Sequence, residues 1–226
     1  MSIWSRISDA LSALATGEGL SAVFDRLRSP PERSVAFTIA VIALGAKMAK
    51  ADGQVTRDEV TAFREIFQIA AKDEAGAAKV FNLARQDAAG FEEYARRIRS
   101  MFKGHPDTLR DLLEGLFHIA MADGFYHPNE NAFLEEVTRI FDVPSSEFSA
   151  LRMRFAPDAP QDPYTVLGVT SDMAFSEIRS VFRKLVRENH PDAMIARGVP
   201  EEALLLAQKR MADINSAFEE IEVLRG

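Results

Sequence analysis

Residues 178–192 read Ile-Arg-Ser-Val-Phe-Arg-Lys-Leu-Val-Arg-Glu-Asn-His-Pro-Asp, and this stretch decides how the C-terminal part of the chain folds. Its apolar residues Ile178, Phe182 and Leu185 fall on one face of a helix, while arginines recur every fourth residue on another face. Pro191 cannot continue that helix, and it pushes the residue before it towards an extended backbone. The stretch therefore predicts a helix with an apolar face and a cationic face that ends in an exposed His-Pro-Asp loop.

Two further helices are predicted on either side of this cationic helix. Residues 162–168 carry a proline in the first turn and a glycine at the end, which is typical of a short helix. Thr170 or Ser171 is the predicted N-cap of the cationic helix. A third helix follows Pro200 and can pack antiparallel on the cationic helix through its apolar side chains. These are Leu205, Met211, Ile214, Ala217 and Phe218.

Four short motifs occur in order: Tyr164-x-x-Leu167-Gly168, Phe182-Arg183-Lys184-Leu185, His190-Pro191-Asp192 and Ile214-Asn215-x-Ala217-Phe218. Together they resemble the J domain of DnaJ-type co-chaperones throughout residues 162–226. The resemblance implies that the second helix and the loop bind the nucleotide-binding domain and linker of a DnaK-type chaperone and trigger ATP hydrolysis there. The positions concerned are Arg179, Arg183, Lys184, Arg187, His190, Pro191 and Asp192.

Two residues before the loop depart from the J-domain pattern. Glu188 and Asn189 stand where the family usually has a basic and an aromatic residue. We therefore expect the affinity for the chaperone, or the choice of chaperone, to differ from that of familiar members.

A second His-Pro-Asp tripeptide, residues 105–107, lies in a different context. No Tyr-x-x-Leu-Gly motif precedes it, and no Ile-Asn-x-Ala-aromatic motif follows it. A leucine-rich helix must begin at this point, and proline and aspartate are both favoured in the first turn of a helix. The tripeptide is predicted to start a helix and not to bind a chaperone.

The N-terminal part of the chain contains two similar segments. Residues 49–53, Ala-Lys-Ala-Asp-Gly, correspond to residues 120–124, Ala-Met-Ala-Asp-Gly. In both, an apolar helix leads into an Asp-Gly turn, and a second helix begins near Glu59 or Glu130. Each unit is a helical hairpin with an apolar face that it cannot bury alone, so we expect the two units to pack together. With little strand-like alternation anywhere, the sequence predicts an all-α protein.

These Ala-Asp-Gly hairpins, with a glutamate seven residues after each aspartate, resemble the TerB family of tellurite-resistance-associated helical domains. A TerB-like domain placed before a J domain resembles the DjlA co-chaperones in particular, as does the segment 193–200 after the loop. The predicted organisation is an amphipathic helix and lead-in (1–33), a TerB-like domain (34–155), a proline-containing linker (156–161) and a J domain (162–226).

Four acids recur at one constant offset in the two hairpins: Asp52, Glu59, Asp123 and Glu130. In the TerB resemblance they are candidate ligands for a divalent cation such as calcium, which prefers carboxylate oxygens. Residues 52–63 do not form an EF-hand loop, because the sixth position is not glycine and the twelfth is not glutamate. The alternative interpretation is that each Asp begins a turn and each Glu favours a helix N-terminus.

Composition narrows the class of protein and its surroundings. A net charge of −7 disfavours nucleic-acid binding, and the absence of cysteine excludes disulfides and sulfur-ligated metals. The longest apolar run, residues 35–46, is too short to cross a bilayer, and no signal peptide is evident. We therefore expect a cytoplasmic protein without a transmembrane segment. Its first helix is expected to pack on its own domain, since Arg6 is its only cation, and the alternative is a lipid or partner surface.

The motifs favour a co-chaperone over two other functions. In this hypothesis the J domain engages the ATPase, while the N-terminal domain binds an unfolded or specific client, a partner or a second copy in a homodimer. The alternative is a metal-responsive interaction or signalling protein of the TerB type with a divergent J domain. An enzyme is not expected, because a helical di-metal oxidase needs Glu and His three residues apart, whereas Glu114 and His118 are four apart. No cofactor is expected to be required.

Overall fold

The computed structural model describes residues Ile3, Arg6, Ile7, Thr61, Arg64 and Ile69 and the ranges 32–51, 74–86, 90–122, 124–155 and 162–225. Regular secondary structure in these residues is helical throughout, and no strand occurs among them. The predicted all-α fold is confirmed.

Six helices whose bounds the structure describes precede residue 156, and the first of these six lies at the centre. Every residue from 35 to 49 is buried, as expected for a helix that is apolar on all sides. The other helices of this N-terminal bundle pack around it or on one another. The helices are α1 (Glu32–Ala51), α2 (Glu74–Gln86), α3 (Phe91–Met101), α4 (Pro106–Ala120), α5 (Pro128–Phe141) and α6 (Ser145–Phe155).

Helices α4 and α5 form the second of the two predicted hairpins. They are joined through Gly124, whose φ of +82° is a conformation that glycine adopts without strain. Helix α4 begins at Pro106 with His105 as its N-cap, so the prediction that residues 105–107 start a helix is confirmed. The second helix of the first hairpin, near Glu59, lies outside the described residues. Ile3 and Ile7 of the predicted first helix are buried in the same core as α1, while most of the lead-in also lies outside them.

The C-terminal domain contains α7 (Pro163–Leu167), α8 (Phe175–Glu188), α9 (Pro191–Arg197), a 3₁₀ turn (Glu201–Ala203) and α10 (Leu204–Arg225). Helices α8 and α10 are antiparallel: Arg179 near the start of α8 contacts Glu222, whereas Asn189 at its end contacts Arg210. Their apolar faces and α7 enclose a small core in which the rings of Phe182 and Phe218 stack at 4.0 Å. The predicted order of helices is confirmed, and α9 is an additional short helix that begins at Pro191 of the predicted loop.

The predicted N-cap of the cationic helix is wrong. Helix α8 begins at Phe175, with Ala174 as the N-cap residue. The carboxylate of Glu177 accepts a hydrogen bond from the Ala174 N–H at 3.1 Å and so satisfies this end of the helix. The hydroxyl of Thr170 instead donates to Asp172 within the preceding turn.

The main core of the protein includes residues that precede and residues that follow the segment 156–161 in the chain. Five residues between the His-Pro-Asp loop and the middle of α10 are buried together with the side chains of α1 and α4. They are Met194, Val199, Ala203, Leu206 and Ala207. The two parts of the chain are therefore joined by an apolar contact, while the assigned domain boundaries stay predictions.

Because this core is shared, we expect Leu206→Ala to destabilise the whole protein. Leu206 is 2% exposed, so truncation leaves a cavity and lowers the free energy of unfolding by about 2–5 kcal/mol. Leu224→Ala on the same helix is the control, since Leu224 is 62% exposed and its loss costs about 0.5 kcal/mol or less. Urea denaturation followed by circular dichroism measures both. If the free energy of unfolding falls equally in the two variants, the shared core is contradicted.

Candidate functional site

The His190-Pro191-Asp192 loop is the first turn of α9. Pro191 occupies the first helical position, and His190 is the N-cap residue, whose Nδ1 accepts a hydrogen bond from the Asp192 N–H at 3.2 Å. With Nδ1 as the acceptor, the neutral imidazole carries its proton on Nε2. Both His190 and Asp192 are exposed. The loop thus holds a fixed backbone while it presents an imidazole N–H donor and a carboxylate to solvent.

The four predicted cations lie along α8 and lead to this loop. Arg179, Arg183, Lys184 and Arg187 are all exposed. Two of them have acidic neighbours, since Arg179 lies 3.4 Å from Glu222 and Lys184 lies 3.8 Å from Glu188. Exposed ion pairs of this kind contribute about 0–1 kcal/mol to stability. Arg179 and Lys184 can therefore leave their acidic neighbours and pair with an acidic partner.

The backbone just before the loop is supported from behind. The buried amide of Asn189 donates from Nδ2 to the Leu185 carbonyl at 2.8 Å and accepts at Oδ1 from Arg210 Nη1 at 2.6 Å. The carbonyl of Glu188 accepts from Arg197 Nη1 at 2.7 Å. Sequence reasoning identified Asn189 only as a departure from the family pattern, and it missed both arginines.

Both of these arginines also reach buried carboxylates on α4. Asp111 and Glu114 are each 1% exposed. Asp111 lies 3.1 Å from Arg197 through Oδ2 and 3.1 Å from Arg210 through Oδ1. Glu114 is in contact with Arg210 and with Arg154 of α6. We call Asp111, Glu114, Arg154, Arg197 and Arg210 the interdomain arginine cluster.

Burial changes the acidity of Arg154 in this cluster. Desolvation lowers the pKa of Arg154 to about 10, while the negative charge of Asp213, 3.7 Å away, acts in the opposite direction. The guanidinium therefore still carries its positive charge at neutral pH. It continues to balance the buried carboxylate of Glu114.

Of the four predicted metal ligands, only Glu130 belongs to the described residues. Its buried carboxylate accepts a hydrogen bond from the His127 N–H at 3.1 Å, which satisfies the start of α5. Asp52, Glu59 and Asp123 lie outside the described residues. Among the side chains that the structure does describe, no group of three or more His, Asp or Glu is arranged to hold a metal ion. The four-acid site stays a prediction.

Comparison with known families accounts for both parts of the chain. The family described as Tellurite resistance protein TerB matches residues 38–153, just over half of the chain. The chain belongs to the TerB family. The DnaJ domain family matches residues 162–222. The predicted order, a TerB domain followed by a J domain, is confirmed, and the His-Pro-Asp loop and cationic helix lie in the J domain.

Similar curated proteins match this chain over most of their own length. The Co-chaperone protein DjlA of Escherichia coli (strain K12) is 26% identical, with 100% of this chain and 99% of that protein covered. The protein of the same name from Photobacterium profundum is 28% identical over 86% of this chain and 80% of its own length. The protein of this name from Coxiella burnetii is 29% identical over 79% of this chain and 73% of its own length. No solved structure matches the chain.

The J domain and these relatives support the assignment of the chain as a DnaJ-type co-chaperone. Within the described residues, no helix combines the length and the hydropathy needed to cross a bilayer.

Proposed function

We propose that this protein binds a DnaK-type chaperone through the cationic face of α8 and the His190-Pro191-Asp192 loop, and that it stimulates ATP hydrolysis by that chaperone. The observation that carries the proposal is the continuity of these two features. The four cations follow the exposed face of α8 to a loop in which the His190 and Asp192 side chains are exposed and the Asp192 N–H is bonded to His190.

The two features contribute in different ways. A row of cations accelerates and orients association with an acidic surface. A loop with a fixed backbone can bind one conformation of the partner better than another and so shift the partner towards that conformation. In this proposal the hydrolysis takes place in the partner. The protein is accordingly a regulator of an ATPase and not an enzyme.

The TerB domain leaves the docking face open. It contacts the J domain through α7, α9 and the first half of α10, whereas the cations of α8 remain exposed. The TerB domain is thus available as a module for an unfolded or specific client, for a partner or for self-association. We propose that the protein acts in the cytoplasm, where both the chaperone and ATP are present.

We expect the protein to raise the rate of single-turnover ATP hydrolysis by a DnaK-type chaperone, and His190→Gln to abolish the increase. The substitution removes the imidazole that caps α9 and presents an N–H donor to the partner. Circular dichroism of the variant should match that of the parent, because His190 is exposed. A parent protein without effect at micromolar concentration, or a fully active His190→Gln variant, would refute the proposal.

Charge reversal tests the role of the cationic face. We expect Arg183→Glu to raise the concentration needed for half-maximal stimulation by about tenfold, because the substituted side chain repels an acidic partner. Lys103→Glu is the matched control, since Lys103 is equally an exposed cation but lies in the TerB domain, in the turn before α4. Both variants change the net charge by the same amount. Equal effects of the two substitutions would show that net charge, and not the α8 face, determines binding.

We further propose that the acids Asp52, Glu59, Asp123 and Glu130 bind calcium in the TerB domain. At a calcium concentration a hundred times the Kd of this site, the free energy of unfolding of the parent is then expected to rise by about 2.7 kcal/mol, which is measured as a rise in Tm. Glu130→Gln keeps an acceptor for the His127 N–H but loses the charge, so it retains the helix start and should lose the calcium response. If the Tm of the parent does not respond to millimolar calcium, the acids serve only as turn and helix-start residues.

A further inference from the structure

The two buried carboxylates of α4 lie directly behind the docking loop. We propose that Asp111 and Glu114 of the TerB domain position the His190-Pro191-Asp192 loop through Arg210 and Arg197, so that the TerB domain acts on chaperone stimulation by the J domain. This inference rests on the proposed function and assigns a part in it to a domain that does not contact the chaperone through the docking face.

Two bridges run from one carboxylate to the two residues that precede the loop. Arg210 lies 3.1 Å from Asp111 through Nη2 and donates from Nη1 to the Asn189 side chain at 2.6 Å. Arg197 donates from Nε and Nη2 to Asp111 at 3.3 and 3.1 Å, and from Nη1 to the Glu188 carbonyl at 2.7 Å. Displacement of Asp111 would therefore disturb both residues at the end of α8.

The C-terminal end of α9 is fixed by the same domain. The hydroxyl of buried Thr108 on α4 donates to the Arg197 carbonyl at 3.0 Å. Gly198 then leaves the helix with a φ of +98°, and a Cβ at this position would lie 3.1 Å from the Cβ of Arg33. The TerB domain thus holds the C-terminal end of α9 directly, and it holds the two residues before His190 through Arg197 and Arg210.

The buried position of these charges makes the bridges hard to break one at a time. A carboxylate without a partner is strongly disfavoured in a buried site. The guanidinium groups in contact with Asp111 both come from the J domain, and Glu114 shares Arg210 with it. Separation of α4 from the J domain would remove both guanidinium groups from Asp111. In the same event, Arg197 and Arg210 would lose the carboxylate that holds them beside Glu188 and Asn189.

This arrangement couples the two domains. A client, partner or cation that binds the TerB domain and shifts α4 changes the position of Asp111, and the position of Asp111 is transmitted to Glu188 and Asn189. Such a ligand alters stimulation to the extent that it binds the two arrangements of α4 with different affinity.

A double-mutant cycle between Asp111 and Asn189 tests this path. The two residues lie in different domains and communicate through Arg210. We expect Asp111→Asn and Asn189→Ala each to raise the half-stimulating concentration by about tenfold, as for the loss of a hydrogen bond to a charged group. The double variant should be no worse than either single variant, because both interrupt one path. The inference would be overturned if the fold increases of the two single variants multiply in the double variant. It would also be overturned if either single variant has the same half-stimulating concentration as the parent.

Matched variants separate positioning from general damage. Asp107→Asn makes the same change on the same helix at an exposed position and should leave stimulation unchanged. Asn189→Asp keeps the acceptor for Arg210 but loses the donor to Leu185, so it should remain close to the parent. If Asn189→Asp is as impaired as Asn189→Ala, Asn189 serves only to end α8. Should Asp111→Asn fail to fold, Arg210→Lys takes its place in the cycle, since it keeps a positive charge beside Asp111 but lacks the second nitrogen that bonds Asn189.

Hydrogen exchange provides a readout that does not depend on the chaperone. The Asp192 and Ala193 N–H groups are bonded to His190. We expect both to exchange about tenfold faster in Asp111→Asn and in Asn189→Ala, and at the parental rate in Asp107→Asn. Unchanged exchange in all three would overturn the inference even if the parent stimulates the chaperone. Faster exchange without stimulation by the parent would instead refute only the proposed function.

Discussion

Buried carboxylates need compensating charge, and Asp111 obtains it from Arg197 and Arg210 across the contact between the two domains. Loss of one partner of such a buried pair typically costs about 3–5 kcal/mol. The pairing therefore holds α4, α9 and α10 in one arrangement and not merely in proximity. Since α9 begins with the His-Pro-Asp loop, the geometry of the docking site depends on a charge that belongs to the other domain.

The local features of this protein could be predicted from the sequence because they depend on neighbours in the chain. The stop of α8 before Pro191 and the helix start at Pro106 follow from the geometry of proline alone. The hydroxyl residues Thr170 and Ser171 predict a start of α8 that is too early, whereas Glu177, three residues after Ala174, marks the actual start.

The interdomain arginine cluster could not be predicted in the same way. Arg197 and Asp111 are 86 residues apart, and each lies on a helix where a charged residue is usually exposed. Asn189 was identified as unusual, but its partner Arg210 becomes evident only when α10 folds back along α8. The proline-containing segment 156–161 suggested independent units, whereas Met194 and Leu206 complete a core that α1 and α4 begin.

The shared core and the paired charges limit how freely this J domain can be exchanged. A chimera that joined it to an unrelated N-terminal domain would leave Met194, Val199 and Leu206 in water and two arginines without their carboxylate. Conversely, another J domain grafted onto this TerB domain would have to supply cations at the positions of Arg197 and Arg210. The two halves are therefore expected to have changed together in evolution, with substitutions at Asp111 accompanied by substitutions on α9 and α10.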